Sequence, residues 1–193
     1  GLPLFRHPDP AAEVGKLLHS LEVFADRAHL VGVYSLGKCQ RLLALIRAAG
    51  YSEPIHLDRT MLPMVDLYRS FGQDFGELAV VDQPQQSALA GAIVLVPAAG
   101  GDGRYQRTLD DPVTAQASGW MRTRNRARAA GVELPLTISD HVDWPELMTT
   151  IADTGAEDIW VTHGREDAVV RAVTSMGRRA IALSLIGRGE GGE

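Results

Sequence analysis

Two of the chain's six histidines stand where chemistry can be done. His141 lies in "SDHVDWPEL", after the apolar run "LPLTIS" and just before a helix start. His163 follows the apolar run "DIWVT" and also precedes a helix. Ligands of open α/β sheets bind outside the carboxyl ends of the strands. If these two strands are parallel neighbours, both imidazoles project to one rim. Imidazole is a common zinc ligand and the usual proton donor at neutral pH. The simpler alternative is that each histidine fills a turn or bonds a backbone group. Asp140 and Asp143 flank His141, but the sequence holds no H-x-H-x-D-H or H-E-x-x-H cluster. A catalytic zinc takes about three protein ligands and a two-metal site more, so the chain carries only part of any metal site. Asp143 either orients His141 or caps the helix starting at Trp144. An Asp before a first turn containing Pro145 favours the cap, and Asp140 is open to the same two readings.

Two further segments invite anions. In "SLGK", Ser35, Gly37 and Lys38 open a helix, where backbone N–H groups and the lysine charge attract phosphate. The alternative there is a Ser-capped helix with a solvated lysine. No G-x-x-x-x-G-K-[ST] is present, which excludes a Walker site. "MRTRNRAR" sets Arg122, Arg124, Arg126 and Arg128 at alternate positions. In an extended segment they share one face and can track a nucleic-acid backbone; otherwise they form a solvated hairpin tip. Cys39 reads as packing, and His7, His19, His29 and His56 have no partner motif.

The elements that would position these groups alternate strand and helix. "LPLF" reads as a short strand, and Asp9 and Pro10 open a helix through "AAEVGKLLHSLEVF". Strand "HLVGVYS", helix "KCQRLLALIRAA", strand "PIHL", a helix from about Thr60 to Phe71, and strands "LAVVD" and "AIVLVP" follow. This alternation predicts parallel βαβ units. "AAGGDGRYQRTLDDP" then breaks the pattern and makes the best internal boundary, giving domains over 1–112 and 113–193. Beyond it come extended "VTAQASGWM" and "VELPLTI", a helix from Trp144, strand "DIWVT", helix "REDAVVRAVTSM", strand "RAIALSL" and a Gly-rich frayed tail.

Composition sets bounds on these readings. The 193 residues, 45% hydrophobic and 22% charged, can bury a real core. No apolar run approaches the roughly 20 residues of a membrane span, and no signal-peptide pattern opens the chain. The single cysteine fits a reducing, cytoplasmic setting. A net charge of −5 argues against whole-surface attraction to nucleic acid but leaves room for a local basic patch. The chain opens on Gly1 with apolar residues at once, as if a strand were entered midway. A piece of a longer protein is expected, although a tag-cleavage scar would also leave Gly1.

"LTISDHVDWPEL" followed by "DIWVTHGRED" resembles the end of the β-CASP branch of metallo-β-lactamase-fold nucleases, where such histidines form motifs B and C. "VYSLGKCQRLLALIRAAGY" resembles that family's x-x-L-G-[KR]-x-Q-x-L-L helix start. "GLPLFRHPDP" is similar to the sequence after its E-S-T-F/Y-G motif, and "ASGWMR" to the return into the lactamase fold. The resemblance covers nearly the whole chain and is greatest to the bacterial ligase-associated exonucleases. It implies an α/β fold: a Rossmann-like β-CASP domain with a parallel sheet, plus the C-terminal part of a metallo-β-lactamase fold. His163 would be a zinc ligand and His141 the proton donor, with Asp143 beside it. Ser35, Gly37, Lys38, Arg122 and Arg124 would contact DNA or RNA. Two zinc ions would complete the site, with the remaining ligands supplied by an upstream part of the same protein. A non-catalytic nucleic-acid-binding module is the alternative. A small-molecule nucleotide-binding domain would need a glycine-rich loop that "GVYSLGK" does not match.

Overall fold

In the computed structural model, residues 2–81, 89–98 and 102–185 are described. Gly1, Asp82, residues 99–101 of the glycine-rich break and the expected frayed tail lie outside them. The chain divides into two units, His7–Asp140 and Gly1–Arg6 with His141–Glu193.

The larger unit begins with helix α1 (Pro10–Val23). Asp9 caps it, its carboxylate accepting from the Ala11 N–H at 2.9 Å, with proline at the first position. Then follow β1 (His29–Val33), α2 (Lys38–Ala48), β2 (Ile55–Asp58), a 3-10 turn (Arg59–Met61) and α3 (Leu62–Ser70). β3 (Leu78–Val81), β4 (Ile93–Pro97), α4 (Asp102–Thr108) and β5 (Val113–Ala117) come next. A second 3-10 turn (Gly119–Arg122), α5 (Arg124–Ala130) and β6 (Leu134–Leu136) complete it. The six strands form one sheet in the order β3-β2-β4-β1-β5-β6, and every neighbouring pair is parallel. β1 lies between β4 and β5, with Val31 opposite both Leu95 and Ala115.

Parallel strands need cover on both faces, and both faces have it. Val14, Leu17, Leu42, Leu43, Ile46 and Val65 from α1, α2 and α3 bury one face. Leu30, Val94, Val96, Tyr105 and Leu109 make a second core on the other, under α4. The fully buried Tyr105 donates its hydroxyl to Asp58 Oδ2 at 2.8 Å and to the Val81 carbonyl at 3.1 Å.

The smaller unit contains α6 (Trp144–Asp153), β7 (Asp158–Val161), α7 (Glu166–Ser175) and β8 (Arg179–Ala182). β7 and β8 form a separate parallel pair. Ile151, Val161, Val169 and Val173 are its core. Among the described residues no helix is long and apolar enough to cross a membrane.

Four sequence expectations change. "LPLF" is a turn, in which the Phe5 N–H bonds the Leu2 carbonyl at 3.0 Å. The extended reading of "VTAQASGWM" holds only to Ala117, because the Ser118 hydroxyl then accepts from the Trp120 N–H and turns the chain. "MRTRNRAR" is largely helical, its Arg and Ala content outweighing the alternation, and Gly131 ends α5 at φ 64°. The composition break hides α4, anchored by Tyr105, and β5 beyond it pairs with β1. The expected boundary at 112 therefore falls inside the larger unit.

Candidate functional site

β1, β5 and β6 are parallel neighbours, so the segments leaving them meet at one carboxyl rim. Lys38 Nζ lies 3.1 Å from Asp140 Oδ1, and the lysine side chain is only 12% exposed. The approach needs Gly37: a Cβ there would stand 3.0 Å from Asp140 Oδ2, and its φ of 77° suits glycine alone. Gly119 makes the second close approach. A Cβ on it would come within 3.2 Å of the Ser139 side chain and 3.6 Å of His7 Nε2. Two glycines thus let "SLGK", "SGWM" and "ISD" converge. Glu13 fixes the last of these from α1, its Oε2 accepting from the Thr137 N–H at 2.8 Å.

The rim lies where chain direction divides. β1 leads to α2 on one face, whereas its neighbour β4 leads to α4 on the other. That is the topological switch point at which open α/β sheets bind ligands.

The "SLGK" turn is built differently from an anion cradle. The Lys38 and Cys39 N–H groups bond the Leu36 and Tyr34 carbonyls at 2.9 and 3.0 Å. Gly37, not Ser35, is the cap residue, and it supplies no side-chain bond. Ser35 contributes its carbonyl, which accepts from Gln40 Nε2 at 2.9 Å, while the other amide atom, Gln40 Oε1, is buried without a partner among the described residues. Lys38 is held by Asp140 and stands 5.6 Å over the Tyr34 ring, so it is not the solvated lysine of the simpler reading. Burial pushes the Cys39 thiol up to about 12, leaving it a packing group. His7 and Ser139 join the rim without having been singled out. "HPDP" and "ISD" carry only turn and cap signals, and the Gly119 contact that unites them is not local.

Arg122 ends the 3-10 turn and Arg124 starts α5. Both are exposed, as are Arg126 and Arg128. They do not line one edge of an extended segment; on the helix, Arg124 and Arg128 are four apart and share a face.

In the smaller unit, Asp143 caps α6 reciprocally. Its Oδ1 accepts from the Glu146 N–H and Glu146 Oε2 accepts from the Asp143 N–H, both at 3.0 Å. The Trp144 N–H bonds the Phe5 carbonyl at 2.9 Å, tying the first residues to this helix start. His141 is exposed just before the cap. His163 is exposed just after β7 and adopts φ 66°, followed by Gly164 at φ 75°. Histidine tolerates this left-handed region better than most residues, but the conformation still costs on the order of 1 kcal/mol. Its Nδ1 is 3.0 Å from Thr162 Oγ1.

The expectation that the strands before the two histidines are neighbours fails. β6 is the edge strand of the large sheet and β7 pairs with β8. Ile151 of α6, Val161 of β7 and Val169 and Val173 of α7 share one core, with Leu147, Met148 and Ile159 packed against it. His141 precedes the start of α6 and His163 follows the end of β7, and both belong to the smaller unit.

Among the described residues no three His, Cys, Asp or Glu side chains form a group able to hold a metal ion. Two imidazoles cannot fill the four positions of zinc, so these residues do not by themselves make a zinc site. Burial lowers the His29 and His56 pKa values, which suits neutral structural histidines; His29 Nε2 is 2.8 Å from Ser20 Oγ. No family model matches the chain, and no curated protein is significantly similar to it.

Proposed function

We propose that the chain belongs to a metal-dependent nuclease of the β-CASP metallo-β-lactamase-fold type, hydrolysing phosphodiesters of DNA or RNA, as an exonuclease in DNA repair or RNA 3′-end processing. The observation that carries the reading is that His141 and His163 both belong to the smaller unit, each exposed beside an element end. The order of the motifs along the chain supports it.

In this reading water attacks phosphorus, the P–O bond to the leaving group breaks, and an alkoxide departs. His141 sits where an imidazolium can hand that oxygen its proton, a contribution of about 10²–10⁴ in rate. Asp143 is committed through Oδ1 to the helix cap, so it holds the backbone that presents His141. Lys38 holds Asp140, the preceding residue, by the same logic. Arg122 and Arg124 supply positive charge for the substrate backbone. His163 is the one zinc ligand expected from this segment; the other ligands belong to a further part of the same protein.

The test is hydrolysis by the complete protein. Release of nucleotides from a labelled oligonucleotide, abolished by chelator and restored by zinc, is expected. Oligonucleotide binding without hydrolysis under any divalent ion would replace this reading with the non-catalytic binding module.

A further inference from the structure

We infer that Trp120 and the arginines of the following turn and helix form a stacking platform for single-stranded nucleic acid. This rests on the nucleic-acid reading above and adds to it the site and the form of the strand.

The first observation is charge left unneutralised. Arg27 is paired with Asp111 and Glu133, Arg165 with Asp167, and Arg179 with Asp158. Arg122, Arg124, Arg126 and Arg128 have no acidic side chain within 4.0 Å among the described residues. In a chain of net charge −5 with 24 acidic residues, four such arginines between positions 122 and 128 make a local basic cluster. Arg124 and Arg128 also repel each other across one helical turn. α5 buries none of its residues, so its side chains are not held by a core. A polyanion removes the repulsion; water and salt only screen it.

The second observation is the indole. Trp120 is 49% exposed although its neighbour Met121 is buried. The Ser118 hydroxyl accepts from the Trp120 N–H at 3.3 Å, and the Thr123 N–H and hydroxyl bond the Trp120 carbonyl at 3.1 and 3.0 Å. The aromatic group is thus offered on a tied backbone. The Arg126 guanidinium lies over the ring, 4.2 Å from its centroid, which holds one cation stacked on a face of the indole. An aromatic surface framed by cations is what a flexible polyanion with free bases needs: bases stack on the ring while phosphates meet the guanidinium groups. A duplex keeps its bases stacked on each other and can use only the charges. An acidic protein likewise gains nothing base-like from the ring.

Fluorescence anisotropy of the 193-residue chain with labelled oligo-dT and with a blunt hairpin duplex, across a salt series, tests the site. The single strand should bind more tightly than the duplex. Trp120→Leu should weaken single-strand binding by about 5–150-fold with little change in salt slope, and Trp120→Phe should restore part of it. Arg122→Gln, Arg124→Gln and Arg128→Gln together should flatten the slope by about 2. Circular dichroism and thermal melting identify any variant that fails to fold, and the conservative Phe variant still decides the matter. No single-strand binding by the wild-type chain, equal affinity for the duplex, or wild-type behaviour of both variant sets would overturn the platform. Chelator-sensitive hydrolysis by the complete protein is read separately, so the platform can fail while the nuclease reading stands.

Discussion

Lys38 and Asp140, far apart in sequence, meet as an ion pair of 3.1 Å at the carboxyl rim of the larger sheet. The lysine is nearly buried and the aspartate immediately precedes His141. The pair is therefore a positional device: it ties the start of α2 to the segment that follows β6. Breaking it leaves one poorly solvated charge, and a hydrogen bond to a charged group is worth about 1.5–3 kcal/mol. Lys38→Met and Asp140→Asn should each destabilise the chain in urea unfolding, and the double variant should lose clearly less than the sum. Strict additivity would show that the pair contributes nothing as a pair.

Gly37 and Gly119 set how closely the rim segments approach. Gly37→Ala places a Cβ at φ 77° against Asp140, and a cost of about 1–3 kcal/mol is expected. Gly119→Ala meets Ser139 instead, where a small side chain can give way by a few tenths of an ångström. The first substitution should therefore lower the melting temperature more than the second. Equal effects would contradict the close approach at Gly37.

Much of this arrangement was legible in the sequence. Asp9 before Pro10 and Asp143 before Trp144-Pro145 mark helix starts by local chemistry, and both caps form. The alternation of apolar runs and helical stretches fits the parallel sheet, because burial on both faces demands such runs. What stayed hidden depends on distant partners. α4 is short and Gly-flanked, and Tyr105 holds it by reaching Asp58 across the sheet, a bond no local window contains. The arginine alternation suggests a strand, but the helix propensity of Arg and Ala wins, in a helix that buries none of its residues. His141 and His163 fall in one unit although the strands before them belong to different sheets, a pairing no local window contains.

A pH dependence follows from His29. Burial holds its pKa below the ordinary value of 6.5, and Ser20 accommodates the ring at 2.8 Å. Above 6.5 both folded and unfolded chains carry it neutral, and its contribution is fully present. As pH falls below that value the unfolded chain binds the proton first, so stability declines toward the lowered folded value. His29→Gln should flatten the fall in unfolding free energy between about pH 6.5 and 5. An unchanged slope would show that His29 is not the group responsible.

The central claim is that the two histidines of the smaller unit have different jobs, and zinc content measured beside cleavage rate in the complete protein tests it most directly. His163→Ala should lose zinc and activity together. His141→Ala should keep its zinc yet cleave about 10²–10⁴-fold more slowly, and an activated leaving group, which needs little protonation, should recover much of that loss. The same substrate should not rescue His163→Ala. Full zinc and full activity in both variants, or loss of zinc from His141→Ala alone, would contradict the account.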